Sequence, residues 1–476
     1  MISETMTLSQ IIEATSGTVF FDPSIVDQES PLGSLSTDTR TIAKGDIFIA
    51  LRGENFDGHH FLATAVERNA SCLVVEELMQ NAPPQVAQVL VKDTLKALGD
   101  IAQYWRRQHS TIPLLCIAGS VGKTTTKEML LHIISTKLNT LGTTGNLNNL
   151  IGAPMMLSRL CSEHQAAVLE LGMNAPGELK RLIEIAQPNA VLLTNIRDAH
   201  IGNFASQDEL YYAKCECLRW APPNTTFIIC ADDKLSQRAL KQYGHGHKII
   251  LFGCSETAMI RAENIAPLSP FGYSFDLVIS NQSRKVVALH HFGKGHIYNA
   301  LGAAAGAVFF GEKSNTIAAR LSCFEADAAR CEVELMPDGW FCIKDYYNAS
   351  PTATENSLRS MKDFNITGRR FALLGDLREL GKMSPMYHEQ LGKIAAQCDL
   401  EHLHVFGEES KMIAEGARKA GMTNVTHHAT YEDAAAALHE QLRRDDLLLI
   451  KASRLIHLER VYEMLKNDFS NVDDIK

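Results

Sequence analysis

The run Gly119-Ser120-Val121-Gly122-Lys123-Thr124-Thr125 constrains this chain more than any other segment. It follows an apolar run of strand length at 114–118 and opens a helix-like pattern. Glycines let the backbone turn successive N–H groups toward one anion, and a helix N-terminus adds partial positive charge. Lys123 has the length to reach β- and γ-phosphates, and the Thr124 hydroxyl suits Mg²⁺. The longer phosphate-loop pattern has a further glycine where Ile117 stands, so this is a shortened form. Gly119, Ser120, Gly122, Lys123, Thr124 and Thr125 therefore read as a nucleotide phosphate site, set against the plainer reading of a glycine turn. Such a loop belongs at the C-terminal end of a parallel strand, which commits this part of the chain to an α/β fold.

The surrounding sequence repeats that alternation. Apolar runs of strand length recur at 166–171, 190–195, 227–230 and 249–252, with helical stretches between several of them. A second series follows at 340–343, 371–374, 403–406 and 447–450, with a helix-like segment at 431–443. Both series predict largely parallel sheets. The Ala-rich segment 299–310 predicts a buried helix ahead of the second series, and Pro83-Pro84 breaks the chain before an apolar run at 89–91. The 476 residues suit two to four domains at about 100–200 residues each. Three are expected, at 1–88, 89–314 and 315–476.

Charge narrows the partners. Lys and Arg number 46 against 55 Asp and Glu, a formal net charge of −9. A surface that binds nucleic acid by its phosphates needs a basic excess, so no nucleic-acid partner is expected. A single nucleotide needs only one loop and stays allowed. The apolar stretch near 300–310 is too short to cross a bilayer, so no membrane insertion is expected. The first basic residue is Arg40, which leaves a secretory leader without its basic region. Eleven cysteines show one close pair, Cys215-x-Cys217, without histidine at ligand spacing. Reduced, scattered thiols and a cytoplasmic location fit better than zinc.

Phosphate chemistry asks for metal ligands near the loop. Glu170 ends the apolar run 166–169, and a carboxylate there faces the ligand crevice of a parallel sheet. A solvated strand-end charge is the alternative. His200 follows the run 190–195 in a similar place, and by itself reads as structural.

Taken together, these residues resemble the Mur ligase family. The resemblance runs from about residue 36 to residue 460. It rests on Asp38-Thr39-Arg40, residues 45–54 and Asp57-Gly58-His59, then on 119–129 and Thr144-Gly145-Asn146-Leu147-Asn148-Asn149. Glu170-Leu171-Gly172, Pro176-Gly177-Glu178, Ala199-His200 and Ala213-Lys214 continue it. Tyr347-Asn348-Ala349, Leu374-Gly375-Asp376, Glu379-Leu380-Gly381 and Ser453-Arg454 complete it. It implies an N-terminal domain for a UDP-linked substrate, a central phosphate-loop domain for ATP and a C-terminal Rossmann-like domain that closes over both. The branch it resembles most joins D-Ala-D-Ala to UDP-MurNAc-tripeptide: ATP phosphorylates the peptide carboxylate, and the amine attacks the acyl phosphate.

The resemblance also implies roles. Glu170, His200 and Thr124 become ligands for Mg²⁺, joined by Lys214 once it is carbamylated. Lys123, Glu170, His200 and Lys214 form the catalytic set. Asn299 meets adenine, Arg330 approaches the phosphates and Asp345 meets ribose. Asp38, Thr39 and Arg40 meet the UDP moiety, Asn146, Asn148, Asn149 and Asn348 bind substrate, and Ser453 and Arg454 reach substrate on closure. A monomer is expected.

Departures from the family pattern mark specific positions. Gly295 and His296 stand where the family has His and Asn, so the adenine site is expected to pack differently. Lys344 replaces an Asp and reverses the charge beside Asp345. Ala329 and Ala452 replace glycines, which matters wherever the backbone has positive φ. Three alternatives stay open: a paralogue that joins another amine or carrier, a nucleotide-binding homologue without turnover, and a kinase or hydrolase built on the same loop.

Overall fold

Every residue of the strand Leu114–Ala118 is buried, as a parallel strand covered by helices on both faces requires. In the computed structural model, which describes residues 5–53, 56–325, 329–364 and 366–467, this strand lies inside a nine-stranded sheet. Glu54, part of the family-like run in the first domain, lies outside the described residues. Ala190–Leu193 pairs parallel on one side of the strand and Ala166–Glu170 on the other. The chain leaves Leu114–Ala118 for the edge strand Thr140–Gly142, returns to Ala166–Glu170, and crosses to Ala190–Leu193. That reversal places a crevice at the C-terminal ends of the strands, where the phosphate loop begins.

Two further sheets accompany the nine-stranded one, besides a two-stranded ribbon of Arg52–Gly53 and Phe56–Asp57. The N-terminal sheet orders Thr18–Phe20, Ala87–Leu90, Cys72–Val75, Ile47–Ile49 and Leu35–Ser36, and only its first strand runs antiparallel. The C-terminal sheet orders Glu332–Leu335, Phe341–Lys344, Leu447–Lys451, Arg370–Gly375, His402–Phe406 and Val425–His428. Again only the first edge strand is antiparallel.

These sheets move both expected boundaries. A break at 88 would cut Ala87–Leu90, which pairs with Cys72–Val75 and Thr18–Phe20, so the first unit runs through Leu90. Pro83-Pro84 lies in the loop ahead of that strand. A break at 314 would detach the helix Ser314–Ser322. That helix buries Ile317, Ala318 and Leu321 and packs on Lys285–Leu289, the edge strand of the central unit's sheet, and on the helix Lys123–Ile134. It belongs to the central unit. The central sheet also ends in an antiparallel meander of Ile260–Pro267, Tyr273–Ile279 and Lys285–Leu289, absent from the expected strands.

The Ala-rich segment forms the buried helix Gly295–Phe309 against Lys123–Ile134. Small residues permit the approach: a Cβ on Gly306 would stand 2.8 Å from Leu130 Cδ2. The phosphate-loop helix is thereby held between the sheet and a second helix.

Candidate active site

The phosphate loop is tied down at nearly every residue. Gly119 (φ 134) and Gly122 (φ 84) both occupy conformations that favour glycine. A Cβ on Gly119 would stand 2.1 Å from Thr194 Oγ1, and one on Gly122 would stand 2.2 Å from Asn299 Oδ1. Ser120 N–H donates to the Asn195 carbonyl (3.0 Å), and Val121 N–H donates to Asn195 Oδ1 (3.1 Å). Thr194 Oγ1 donates to the Val121 carbonyl at 2.8 Å. The loop is therefore moulded to the end of the neighbouring strand before any anion arrives. Lys123 Nζ folds back onto the Gly119 carbonyl at 2.8 Å. Burial pushes its ammonium pKa down and Arg330 adds to that, while Glu170 opposes. A ligand bringing negative charge would relieve this cost.

Glu170 ends its strand 2% exposed. Asn148 Nδ2 donates to its Oε1 at 2.9 Å, and Oε2 is buried without a partner. Behind it, Glu170 N–H donates to Thr143 Oγ1 (2.9 Å), and buried Lys127 donates to the Thr143 carbonyl (2.6 Å). A carboxylate so fixed, with one oxygen orphaned in the interior, fits a cation better than it fits an empty pocket. Among the described residues no three His, Cys, Asp or Glu side chains converge as a ready metal cage. A cation held through Glu170 would complete its shell from other groups, as Mg²⁺ does with substrate phosphates.

His200 sits in the left-handed region (φ 68) and caps the turn Ile201–Asn203. Its Nδ1 forms an ion pair with the Glu379 carboxylate, which arrives from the C-terminal unit, and has no aligned hydrogen bond. The imidazole holds that carboxyl below the usual range, against the pull of burial. Lys214 lies on the helix Gln207–Arg219 and is 2% exposed. Burial and the nearby Lys123 push its ammonium down to about 7, against Cys217 and Glu379. A lysine poised to be neutral near physiological pH is chemically unlike a surface lysine.

A cavity of about 460 Å³ joins these groups to the C-terminal unit. Ser120, Gly122, Lys123, Thr124, Thr125, Asn146, Asn148, Asn149, Glu170, His200 and Asn299 line it from the central unit; Arg330, Asp345 and Asn348 line it from the other. Asn149 also caps the helix Gly152–Leu157, accepting from Gly152 N–H at 2.8 Å. Arg330 stacks over the Tyr347 ring at 3.8 Å. Asp345 accepts from Lys451 Nζ (2.6 Å) and Ser357 Oγ (2.8 Å). Gly119 and Lys214 stand behind the wall, the latter close enough to feel Lys123 and Glu379.

Other expected residues lie away from the cavity. Asp38 and Arg40 pair at 2.7 Å on an exposed turn of the N-terminal unit, with Thr39 between them. The Arg40 contact holds the Asp38 carboxyl down at about 2. Ser453 is buried, and its Oγ accepts from Arg378 N–H at 2.9 Å. Arg454 pairs with Glu459 at 3.4 Å. His59 is structural: its Nδ1 meets Asp57 Oδ1 at 2.7 Å and its Nε2 accepts from Glu76 N–H at 2.9 Å.

Tyr347, Arg378, Glu379 and Lys451 are among the cavity residues that were not expected as site residues. Lys451 had the same signal that singled out Glu170, a charge closing an apolar parallel strand. Arg378 and Glu379 lie in the loop after the strand Arg370–Gly375, at the ligand-bearing end of that sheet.

Family models match the chain in three consecutive pieces. They are the Mur ligase family catalytic domain over residues 32–106, the Mur ligase middle domain over 117–307 and the Mur ligase glutamate ligase domain over 329–454. The UDP-N-acetylmuramoyl-tripeptide–D-alanyl-D-alanine ligase of Bacillus subtilis is 30% identical over 460 residues, 96% of this chain and 98% of that one. Its Escherichia coli counterpart is 31% identical over 467 residues, 97% of this chain and 99% of that one. The chain belongs to the Mur ligase family. A crystal structure of MurF from Acinetobacter baumannii matches with a TM-score of 0.89 at 31% identity, covering 98% of this chain and all of that one.

The departures from the Mur ligase pattern now have physical meanings. Lys344 does not reverse the charge beside Asp345. Successive strand residues point to opposite faces, and Lys344 turns to Glu332 and Glu334, each at 2.7 Å. Burial opposes its charge, yet the two carboxylates hold the ammonium up at about 12. Ala329 does occupy positive φ (62°), as does Cys331 (56°), so Arg330 is presented between two strained residues. Ala452 lies outside that region and packs its Cβ toward Gly375. At Gly295 a Cβ would meet nothing within 4 Å, so this wall of the cavity is open. His296 is buried with Nδ1 unpartnered, and burial pushes its imidazole down to about 3.

Proposed function

We propose that this Mur ligase adds D-alanyl-D-alanine to UDP-MurNAc-tripeptide at the cost of ATP, through an acyl phosphate, in the synthesis of peptidoglycan precursors. The conjunction of a phosphate loop, an orphaned Glu170 oxygen and C-terminal side chains around one cavity carries this reading. Full-length relatives that bear this activity in their names support it.

The residues divide the work by charge. A carboxylate that attacks a triphosphate brings two anions together, and catalysis here is positioning plus neutralisation. Gly119, Ser120, Gly122, Lys123, Thr124 and Thr125 would hold the phosphates, with Arg330 opposite them. Asn299 would contact the base and Asp345, steadied by Lys451, the ribose. Thr124, Glu170, His200 and a carbamylated Lys214 would hold Mg²⁺, which would supply charge neutralisation at the reacting oxygens. An amine with a pKa of about 7 is about half neutral at pH 7, and that neutral form can take up CO₂, giving a carbamate and a proton. Arg40 would reach the UDP diphosphate and Asn146, Asn148, Asn149 and Asn348 the peptide, while Ser453 acts through Arg378. Nucleotide-linked substrates support a cytoplasmic setting. No described helix is long and apolar enough to cross a membrane.

The decisive assay is phosphate release from ATP. Release should require UDP-MurNAc-tripeptide and D-Ala-D-Ala together, and Lys123→Ala should lower it by at least about 10²-fold. ATP hydrolysis without either substrate would overturn the ligase reading in favour of a hydrolase. Turnover only with another amine would overturn the assignment of D-Ala-D-Ala.

A further inference from the structure

Glu379 belongs to the C-terminal unit, yet its side chain forms part of the wall of a cavity built on the central phosphate loop. Three contacts fix it there. Its carboxylate meets His200 Nδ1 as an ion pair. Its carbonyl accepts from Gly202 N–H at 2.8 Å. Two residues further on, Gly381 approaches Gly202 so closely that a Cβ on Gly202 would stand 2.4 Å from Gly381 N. Backbone conformation adds to the constraint: His200 (φ 68) and Glu379 (φ 64) are both non-glycine residues in the left-handed region. Strained residues facing each other across a boundary between units persist only where surrounding contacts over-determine them.

An imidazole binds a cation through the nitrogen that keeps its lone pair, and the partner of the other nitrogen decides which that is. A carboxylate beside Nδ1 holds the imidazole proton on that nitrogen, as Nδ1–H, and leaves Nε2 with the lone pair. We propose that Glu379 is a positioning residue of the ligase reaction: crossing from the C-terminal unit to His200 Nδ1, it fixes the tautomer and ring of His200, and does so only when the two units are docked. The cation site is thus completed by docking and is incomplete in the central unit alone. This inference rests on His200 as a cation ligand. The same geometry explains why the carboxylate is supplied from the C-terminal unit. A partner on the central unit would orient His200 at all times, whereas this one couples its orientation to the arrival of the unit that carries Arg330 and Asp345.

The test uses the full chain with an ATP analogue that cannot be hydrolysed and UDP-MurNAc-tripeptide, with Mn²⁺ as the probe cation. Free Mn²⁺ is measured by electron paramagnetic resonance for wild type, Glu379→Gln, Glu379→Ala and His200→Ala. A Gln side-chain oxygen still accepts from Nδ1–H, and Ala offers nothing. Glu379→Ala should weaken Mn²⁺ binding by about 10–100-fold and lower kcat in step, with the KM for ATP nearly unchanged. Glu379→Gln should stay close to wild type in both. Unchanged Mn²⁺ affinity in Glu379→Ala, with His200→Ala weakened, would overturn the positioning role alone. Unchanged affinity in His200→Ala would overturn the ligand assignment, and the positioning role with it. A Gln variant as damaged as the Ala variant would show that charge, not orientation, is what Glu379 supplies, and would equally overturn the proposal.

Discussion

At the scale of single residues, Ala329 and Ala452 show what a sequence can and cannot convey. Both were legible as alanines at glycine positions, and nothing in the sequence told their backbones apart. The structure puts Ala329 at φ 62 and leaves Ala452 outside the positive region, with its side chain buried against Gly375. The same substitution should therefore have opposite signs. Ala329→Gly removes left-handed strain of about 1–2 kcal/mol and restores freedom to the unfolded chain, for a net gain of about 0.5–1 kcal/mol. Ala452→Gly removes a buried methyl and adds unfolded-state freedom, for a loss of about 1–2 kcal/mol. Thermal midpoints of the two variants, measured side by side, should move apart. A common direction would contradict this account. Lys344 teaches the companion lesson. Its identity was visible, but the strand face it occupies depends on register, and register put it beside Glu332 and Glu334.

At the scale of elements, the buried parallel strands were readable as unbroken apolar runs, because both of their faces are covered. The antiparallel meander had a signal too: Tyr273, Phe275, Leu277 and Ile279 are buried and alternate with less buried Ser274, Asp276 and Val278. That period of two differs from the unbroken apolar runs that mark the buried parallel strands. The paired strands His402–Phe406 and Val425–His428 carry another feature of element scale. His404 stacks between His402 and His428, and its Nδ1 lies 2.8 Å from His428 Nε2. Burial pushes His404 down to about 3, with His402 and His428 adding to the shift. An unfolded histidine titrates near 6.5, so below that pH the unfolded chain binds the proton that the folded strand refuses. The contribution is complete above about pH 6.5 and is lost as pH falls toward 3. His404 should add a slope of about 1.4 kcal/mol per pH unit in that window. Urea unfolding at pH 7 and pH 5 should show the C-terminal unit weakening. His404→Leu should flatten the dependence, and an unaltered slope in that variant would remove His404 as its source.

At the scale of the molecule, a chain of net charge −9 gathers Lys123, Arg330, Lys451 and a phosphate loop around one cavity, so anion binding is local rather than a property of the surface. The count of three units and the phosphate loop were legible, because each rests on local patterns, whereas the exact boundaries were not, because they depend on which strands and helices pack together. That Glu379 meets His200 across two units was not legible, since that depends on how the units dock. Docking closes through the backbones of Gly202 and Gly381. Gly202 lies outside the positive-φ region, so an added methyl is compatible with the central unit taken by itself. In the docked arrangement, however, that methyl would stand 2.4 Å from Gly381 N and 2.7 Å from the Glu379 carbonyl oxygen, neither of which a side-chain rotation can move. Gly202→Ala should therefore hold the units apart while leaving the phosphate loop intact. X-ray scattering with ATP analogue and UDP-substrate should give a larger radius of gyration than wild type. Turnover should fall by about 10²-fold, the scale of loss when reacting groups are displaced by about 1 Å. The melting of the central unit should stay unchanged, which separates failed docking from failed folding. Wild-type scattering together with wild-type turnover would mean that this glycine contact does not control how the two halves of the site come together.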